Sequence, residues 1–276
     1  MTEASPSTAS LAVVISHWTG HRRALLSKLL AGMRRHAPGT PYSLCIVVNG
    51  GDSAPVQAAD LSAPAGVQPV VVNRANHGYN IGAWDAGWHA MPGHDAYLFL
   101  QSECFIRRAG WADAFAWRLA NDPGVGVLGE AVMWDRMGWD YVKRATARDL
   151  GGQWAGPGEN PIDVYRAALA RRGIPEGEEA THVQSLVLAM RGPLLERMGG
   201  LPVGETYQEA VAAEVAISRQ AEALGYRVAR VAGAPFHFIG HRQWTALNQA
   251  AMRWRNRLRP HLAPVKNAVR ALTGRG

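Results

Sequence analysis

Four polar clusters follow apolar runs in this chain: Ser16-His17, Asn49-Gly50-Gly51-Asp52, Asn73-Arg74 with Asn76-His77-Gly78-Tyr79-Asn80, and Gln101-Ser102-Glu103. Amides and hydroxyls of this kind hydrogen-bond polar ligands, and Glu103 offers a hard oxygen suited to Mg2+ or Mn2+. One polar strand end means little, because every strand ends in a loop. Four in succession define a rim at the carboxyl ends of parallel strands, where ligands collect. Further along, Glu214 stands three residues after Val211 and three before Ile217, on or beside an apolar helical stripe. A carboxylate there is either paired with an Arg such as Arg219 or held for chemistry as a general base, because burying an unpaired charge is costly. Glu205 and Glu209, four apart, are expected to share one face of the same helix.

Several chemistries are excluded by spacing. Gly78, Gly82 and Gly87 lack the dinucleotide-loop pattern, no P-loop lysine motif occurs, and no G-x-S-x-G nucleophile elbow is present. The pairs His17/His21 and His237/His241 have the i,i+4 spacing of helical metal ligands, yet Gly20 or Gly240 precedes the second His. That argues against a zinc helix.

The elements that must position the rim are legible from periodicity. Leu11–Ile15, Leu44–Val48, Val70–Val72, Tyr97–Leu100 and Val125–Leu128 are short apolar runs of the buried-strand type, and Ser185–Met190 and Val228–Val231 extend the series. Helices are expected over 21–36, 80–91, 110–121 and 205–224. Strands alternating with helices across short connections imply an α/β fold, a mostly parallel sheet with helices on both faces. Residues 133–180, rich in Gly and Pro, break the rhythm and are expected to form an irregular excursion facing substrate. Of the ten Trp, those at 84, 88, 111 and 117 have helical spacing and are assigned to packing. Trp134, Trp139 and Trp154 lie in the excursion and are the candidates for stacking on a ligand ring.

The net charge of +7 is unevenly placed. Eight of the 29 basic residues lie in 242–276, which has no Asp or Glu, so 21 basic residues face 22 acidic ones elsewhere. A near-neutral body argues against nucleic acid as a partner. The division expected is a disordered 1–10, one domain over 11–241 and a basic helical tail over 242–276. The start of the chain has no basic segment followed by an apolar one, against a secretory signal. Cys45 and Cys104 sit in strand-like runs and read as buried, reduced thiols of a cytoplasmic protein.

The order of Val47-Val48-Asn49-Gly50-Gly51, Asn76-x-Gly78-x-Asn80-x-Gly82-Ala83-Trp84 and Tyr97-Leu98-Phe99-Leu100-Gln101-Ser102-Glu103 resembles a GT-A glycosyltransferase. It is most similar to the bacterial family-2 type that builds surface polysaccharides. Gly199-Gly200-Leu201-Pro202, Glu214–Arg219 and Gly225–Val228 resemble the acceptor half of that family. The resemblance, which covers about 11–241, implies a nucleotide-sugar donor held by His17, Asn49, Asp52, Asn76, Gly78, Asn80 and Gln101. It implies Mn2+ or Mg2+ at Glu103 and His237, and Glu214 as the base that activates a glycan or lipid-linked acceptor in an inverting transfer. Trp134, Trp139 and Trp154 are then the acceptor-site candidates, their aromatic faces suiting sugar rings. Gln101-Ser102-Glu103 departs from the family's Asp-x-Asp, which keeps open an alternative, a non-catalytic nucleotide-sugar-binding or scaffold protein.

In the tail, Trp244, Leu247, Ala251, Trp254 and Leu258 recur at steps of three and four before Pro260, flanked by Arg253, Arg255, Arg257 and Arg259. This suits a helix lying on an anionic membrane surface, and hence a peripheral place at the inner face of the cytoplasmic membrane. The full chain is expected to sediment with anionic but not neutral liposomes, and to lose that binding in salt and on deletion of 242–276. A deletion that leaves the protein molten would assign the tail to the core.

Overall fold

The computed structural model describes residues 10–52, 55–146 and 159–245. In chain order the first elements are β1 (Leu11–Trp18), α1 (Ala24–Arg35), β2 (Ser43–Asn49), β3 (Val70–Arg74), α2 (Tyr79–Ala90), β4 (Ala96–Gln101), β5 (Cys104–Ile106), α3 (Asp113–Asn121) and β6 (Val125–Gly129). The later ones are β7 (Val132–Met133), α4 (Trp139–Thr146), α5 (Pro161–Arg171), β8 (His182–Val183), β9 (Val187–Arg191), α6 (Gly192–Met198), α7 (Tyr207–Ala223), β10 (Arg227–Arg230) and β11 (Ile239–His241).

Seven strands form one sheet in the order β10-β6-β9-β4-β1-β2-β3. Pairing is parallel for β1 with β2 and β4, β2 with β3, and β6 with β10, while β9 runs antiparallel to both β4 and β6. The sheet is the mostly parallel α/β arrangement that the apolar runs imply. Strands covered on both faces read as continuous apolar runs, and the alternation within them sorts the two cores. Val13 and Ile15 of β1 join Leu26, Leu29 and Leu30 of α1 and Phe115 of α3 on one face. Val14 of β1 joins Trp84 of α2, Leu194 of α6 and Ile217 of α7 on the other.

The segment 133–180 is more regular than its composition suggests. It contains α4 and α5, which build a third core from Trp139, Val142, Ile162 and Tyr165 against Ala212, Val215 and Ala216 of α7. Helix α7 is therefore covered on two sides, by the sheet and by α4 and α5, and its alanines permit the close approach. Glu205 does not share its face with Glu209. It precedes the N-cap Thr206, while Glu209 accepts from the Glu205 and Thr206 N–H groups in a capping box.

Two small ribbons complete the fold: β5 with β11, and β7 with β8, both antiparallel. The first ribbon ties residues 239–241 to β5. Glu130 is buried and accepts from the backbone N–H groups of His237, Phe238 and Ile239 at 2.6, 3.0 and 2.7 Å. Residues 242–244 continue from β11 as a turn, and Trp244 stacks on Phe236 with ring centroids 5.8 Å apart. Trp117, assigned to packing by its spacing, is 59% exposed.

At Gly87 the α2 backbone lies so close to β1 that a Cβ would overlap the Val14 side chain, which is rigid and buried at the centre of the sheet. Gly87→Ala should lower stability by about 1–3 kcal/mol through overpacking, despite the better helix propensity of Ala. A urea midpoint equal to or above that of the wild type would contradict this packing.

Candidate active site

A pocket of about 710 Å³ opens at the carboxyl ends of β1, β2 and β4. That volume lies within the roughly 300–1,000 Å³ of small-molecule sites. Ser16, Asn49 and Gln101 come to it from these strand ends. Trp18, His21, Glu103, His241, Arg242 and Gln243 contribute one part, and Asn76, Tyr79, Asn80 and Tyr207 a second part at the starts of α2 and α7.

Asn49 is buried and fixed: its Nδ2 donates to the Tyr79 carbonyl at 2.7 Å, and its Oδ1 accepts from Arg74 at 3.2 Å. Gln101 Nε2 and Asn80 Nδ2 both donate to the Ser185 carbonyl, at 2.8 and 3.3 Å. Of the other expected donor-site residues, His17, Asp52 and Gly78 do not line the pocket. His17 lies beneath it, buried, with Nδ1 3.0 Å from Ser102 Oγ. Asp52 is exposed in the turn after β2. Gly78 shapes the entry to α2 in the left-handed region, at φ 70°.

Glu103 is a carboxylate at the pocket wall. Its Oε2 accepts from Ser102 Oγ at 3.1 Å, and its Oε1 is 2.9 Å from His21 Nδ1. Besides His21, the histidine that lines the pocket with Glu103 is His241, not His237. Strand β11 sets His241 opposite Cys104, and Arg242 N–H donates to the Glu103 carbonyl at 3.3 Å. His237 falls earlier, on Glu130, outside the pocket lining. The choice between these two histidines rests on the β5–β11 register, for which the sequence carries no local signal.

The donor set bears on the expected cation. His241 Nδ1 accepts from Gln243 N–H at 3.2 Å, so a neutral ring carries its proton on Nε2, which is buried without a hydrogen-bond partner. That nitrogen offers a proton rather than a lone pair. Among the described residues, no group of three or more His, Cys, Asp or Glu is placed to hold a metal ion. Glu103 alone fits, as one carboxylate toward a cation that arrives on substrate phosphates.

Glu214 is outside the pocket lining and partly exposed, with 16% of its side chain accessible. Its Oε2 accepts from Ser185 N–H at 2.6 Å and Ser185 Oγ at 2.7 Å, and its Oε1 is 3.2 Å from His182 Nε2. It is not the partner of Arg219, which binds Glu222 at 2.7 Å and the carbonyls of Glu179 and Thr181. Neither Ser185 nor His182 stands out in the sequence. Trp134 packs edge-on against His182, centroids 4.9 Å apart. Trp139 is buried with its Nε1 on the Glu176 carbonyl, so it packs the third core and does not face a ligand. Trp154 lies outside the described residues. The exposed aromatics of the pocket are instead Trp18, Tyr79 and Tyr207.

No protein-family model and no curated protein sequence matches the chain. It is similar to the solved mannosyltransferase of Pyrobaculum calidifontis in complex with GDP-Man and Mn2+, with a TM-score of 0.49 and 14% identity over 82% of this chain and 55% of that one. It is also similar to glucosyl-3-phosphoglycerate synthase of Mycobacterium tuberculosis. The complex of that enzyme with Mn2+, UDP and glucosyl-3-phosphoglycerate gives a TM-score of 0.48 and 16% identity over 88% and 76% of the two chains. Its complex with Mn2+, UDP and phosphoglyceric acid gives 0.49 and 17% over 88% and 74%. These similar structures are GT-A-type glycosyltransferases. This chain spans little more than half the length of the first. The α/β architecture described above rests on this chain's own strand pairing and not on the likeness.

Burial, reinforced by His21 and Arg23, lowers His17 to about 4; burial, reinforced by Arg242 and His21, lowers His241 to about 4. Both are neutral in the fold, whereas in the unfolded chain each titrates near 6.5. Between these values the unfolded chain binds more protons, so their contribution to stability is full above about 6.5 and is lost as pH falls toward 4. The urea midpoint should drop across that window, and the double variant His17→Asn/His241→Asn should show a shallower drop. Equal slopes would contradict the neutral burial.

Proposed function

We propose that the chain is a GT-A-type glycosyltransferase, moving a sugar from a nucleotide-sugar to a hydroxyl of a glycan or lipid-linked acceptor in surface polysaccharide biosynthesis. The observation that carries this reading is one pocket with two kinds of group attached. Fixed amides and Glu103 lie at the carboxyl ends of β1, β2 and β4, and a carboxylate is joined to the same wall through Ser185.

In this reading the nucleotide and diphosphate lie along Asn49, Asn76, Asn80 and Gln101. The acceptor oxygen attacks the anomeric carbon as the carbon–oxygen bond to the diphosphate breaks, and the bonding pair leaves with the diphosphate. The acceptor proton passes to Glu214, whose carboxylate is held in place by Ser185 and His182, and the product is inverted. His17, through Ser102, orients Glu103. Mn2+ or Mg2+ entering with the donor would meet Glu103 and would neutralise the departing diphosphate. His241 supplies no ligand to the cation, because its Nε2–H is buried.

A non-catalytic nucleotide-sugar-binding protein is the second reading. It is favoured by the amide at position 101 and by the hydrogen bonds that already engage Glu214. The basic tail is taken as the membrane-surface anchor, and its residues 246–276 lie outside the described ones. Because Trp244 packs on Phe236, the truncation that tests the anchor is best made after Thr245.

Nucleotide-sugars are screened for release of nucleoside diphosphate in Mn2+, with folding followed by circular dichroism. The transferase reading expects turnover by the wild type. In Glu214→Gln it expects a loss of about 10²–10⁴-fold, the range of a missing general base, with donor affinity within about twofold. Glu103→Ala should weaken donor binding in Mn2+ and leave it unchanged in EDTA. Tight donor binding with no release by the wild type would favour the second reading.

A further inference from the structure

Tyr79 and Tyr207 form an aromatic corner in the pocket that no part of the donor reading uses. Tyr79 is the first residue of α2 and Tyr207 the first of α7, and both line the pocket at 37% and 53% exposure. Their ring centroids are 5.8 Å apart and the planes meet at 65°. Neither ring serves the cores, which α2 and α7 reach through Ile81, Trp84, Ala213 and Ile217.

Holding Tyr79 there demands an unusual backbone. Its φ is 54°, left-handed, directly after Gly78 at 70°. A bulky residue rarely adopts this conformation, and it persists where the surroundings over-determine it. Here the buried Asn49 side chain supplies that constraint through its hydrogen bond to the Tyr79 carbonyl. One strand-end amide thus sets the wall of the pocket on which Tyr79 stands.

The corner belongs to the Glu214 side of the site. Tyr207 precedes Glu214 by seven residues, about two helical turns, so both stand on one face of α7 roughly 10 Å apart along its axis. Buried Tyr165 of α5 lies within electrostatic reach of both Glu214 and Tyr207. Two rings meeting at an angle suit a saturated ring, with its C–H face on one wall and its edge on the other, and the phenol oxygens can bond its hydroxyls. A flat nucleobase is better served by a single parallel face.

We propose that the Tyr79–Tyr207 corner is the acceptor subsite and takes a pyranose ring of the acceptor. The assignment rests on the transferase reading of the same pocket, and it moves acceptor recognition from the tryptophans of 133–180 to the first residues of α2 and α7.

Binding is tested by saturation-transfer NMR with methyl α-D-glucopyranoside and methyl α-D-mannopyranoside, and by calorimetry with UDP and GDP. Wild type, Tyr207→Phe and Tyr207→Ala are compared, and Tyr207 is exposed enough for both variants to fold. The expected result is that Tyr207→Ala weakens glycoside binding about tenfold and Tyr207→Phe less, with nucleoside diphosphate affinity within about twofold of wild type. Glycoside binding that is absent from the wild type or indifferent to Tyr207→Ala overturns the proposal while leaving nucleotide binding, and so the donor reading, in place. A Tyr207→Ala loss of UDP or GDP affinity overturns it by giving the corner to the nucleobase. Wild type that binds neither nucleotide refutes the transferase reading, and a Tyr207-dependent glycoside signal would then support a sugar site on its own.

Discussion

The hydrogen bonds of Ser185 join two parts of the molecule. Its carbonyl receives Gln101 from the end of β4 and Asn80 from the start of α2, while its N–H and hydroxyl are both given to Glu214 of α7. Polar groups withdrawn from water are costly unless paired, and these groups are partly buried, with the N–H, hydroxyl and carbonyl of Ser185 all partnered. The pocket wall, the turn before β9 and the face of α7 are therefore held in one hydrogen-bonded unit. Truncating the Glu214 side chain would loosen all three, whereas Glu214→Gln keeps an oxygen that can accept from Ser185 and removes only the basicity.

A second anchor works at the other end of the site. Burial pushes the Glu130 carboxyl upward, and three converging backbone N–H groups oppose that rise. They draw residues 237–239 into place, and the β5–β11 ribbon then sets His241 beside Glu103. Around Glu103 the two most buried histidines are kept neutral while His21 pairs with the carboxylate. The local field is thus shaped by proton donors more than by fixed carboxylates. Under the proposed function, a diphosphate here would face one carboxylate, Glu103, a different balance from the two carboxylates of Asp-x-Asp.

Much of the sheet was legible because strands buried on both faces leave continuous apolar runs, as in Leu11–Ile15 and Leu44–Val48. Helices α1 and α7 were legible from their stripes. The helices of 133–180 were not, because the Gly and Pro around them read as an irregular excursion, although Trp139 and Val142 of α4 and Ile162, Tyr165 and Leu169 of α5 recur at steps of three and four. The rim residues Asn49, Asn76, Asn80, Gln101 and Glu103 were found from their strand-end positions. His241 and Ser185 were missed because their places depend on strand register and on a distant carboxylate. Tyr79 was missed because its exposure follows from a left-handed backbone that Asn49 imposes from 30 residues away.

The central claim is that the carboxyl ends of β1, β2 and β4 bind a nucleotide-sugar. Hydrogen–deuterium exchange of the full chain with a panel of UDP- and GDP-sugars tests it most directly. The account predicts that at least one donor slows exchange together in 49–52, 76–82, 101–106 and 239–243, the segments that converge on the pocket. Exchange that is unchanged in all four with every donor, or slowed only elsewhere in the chain, would contradict it.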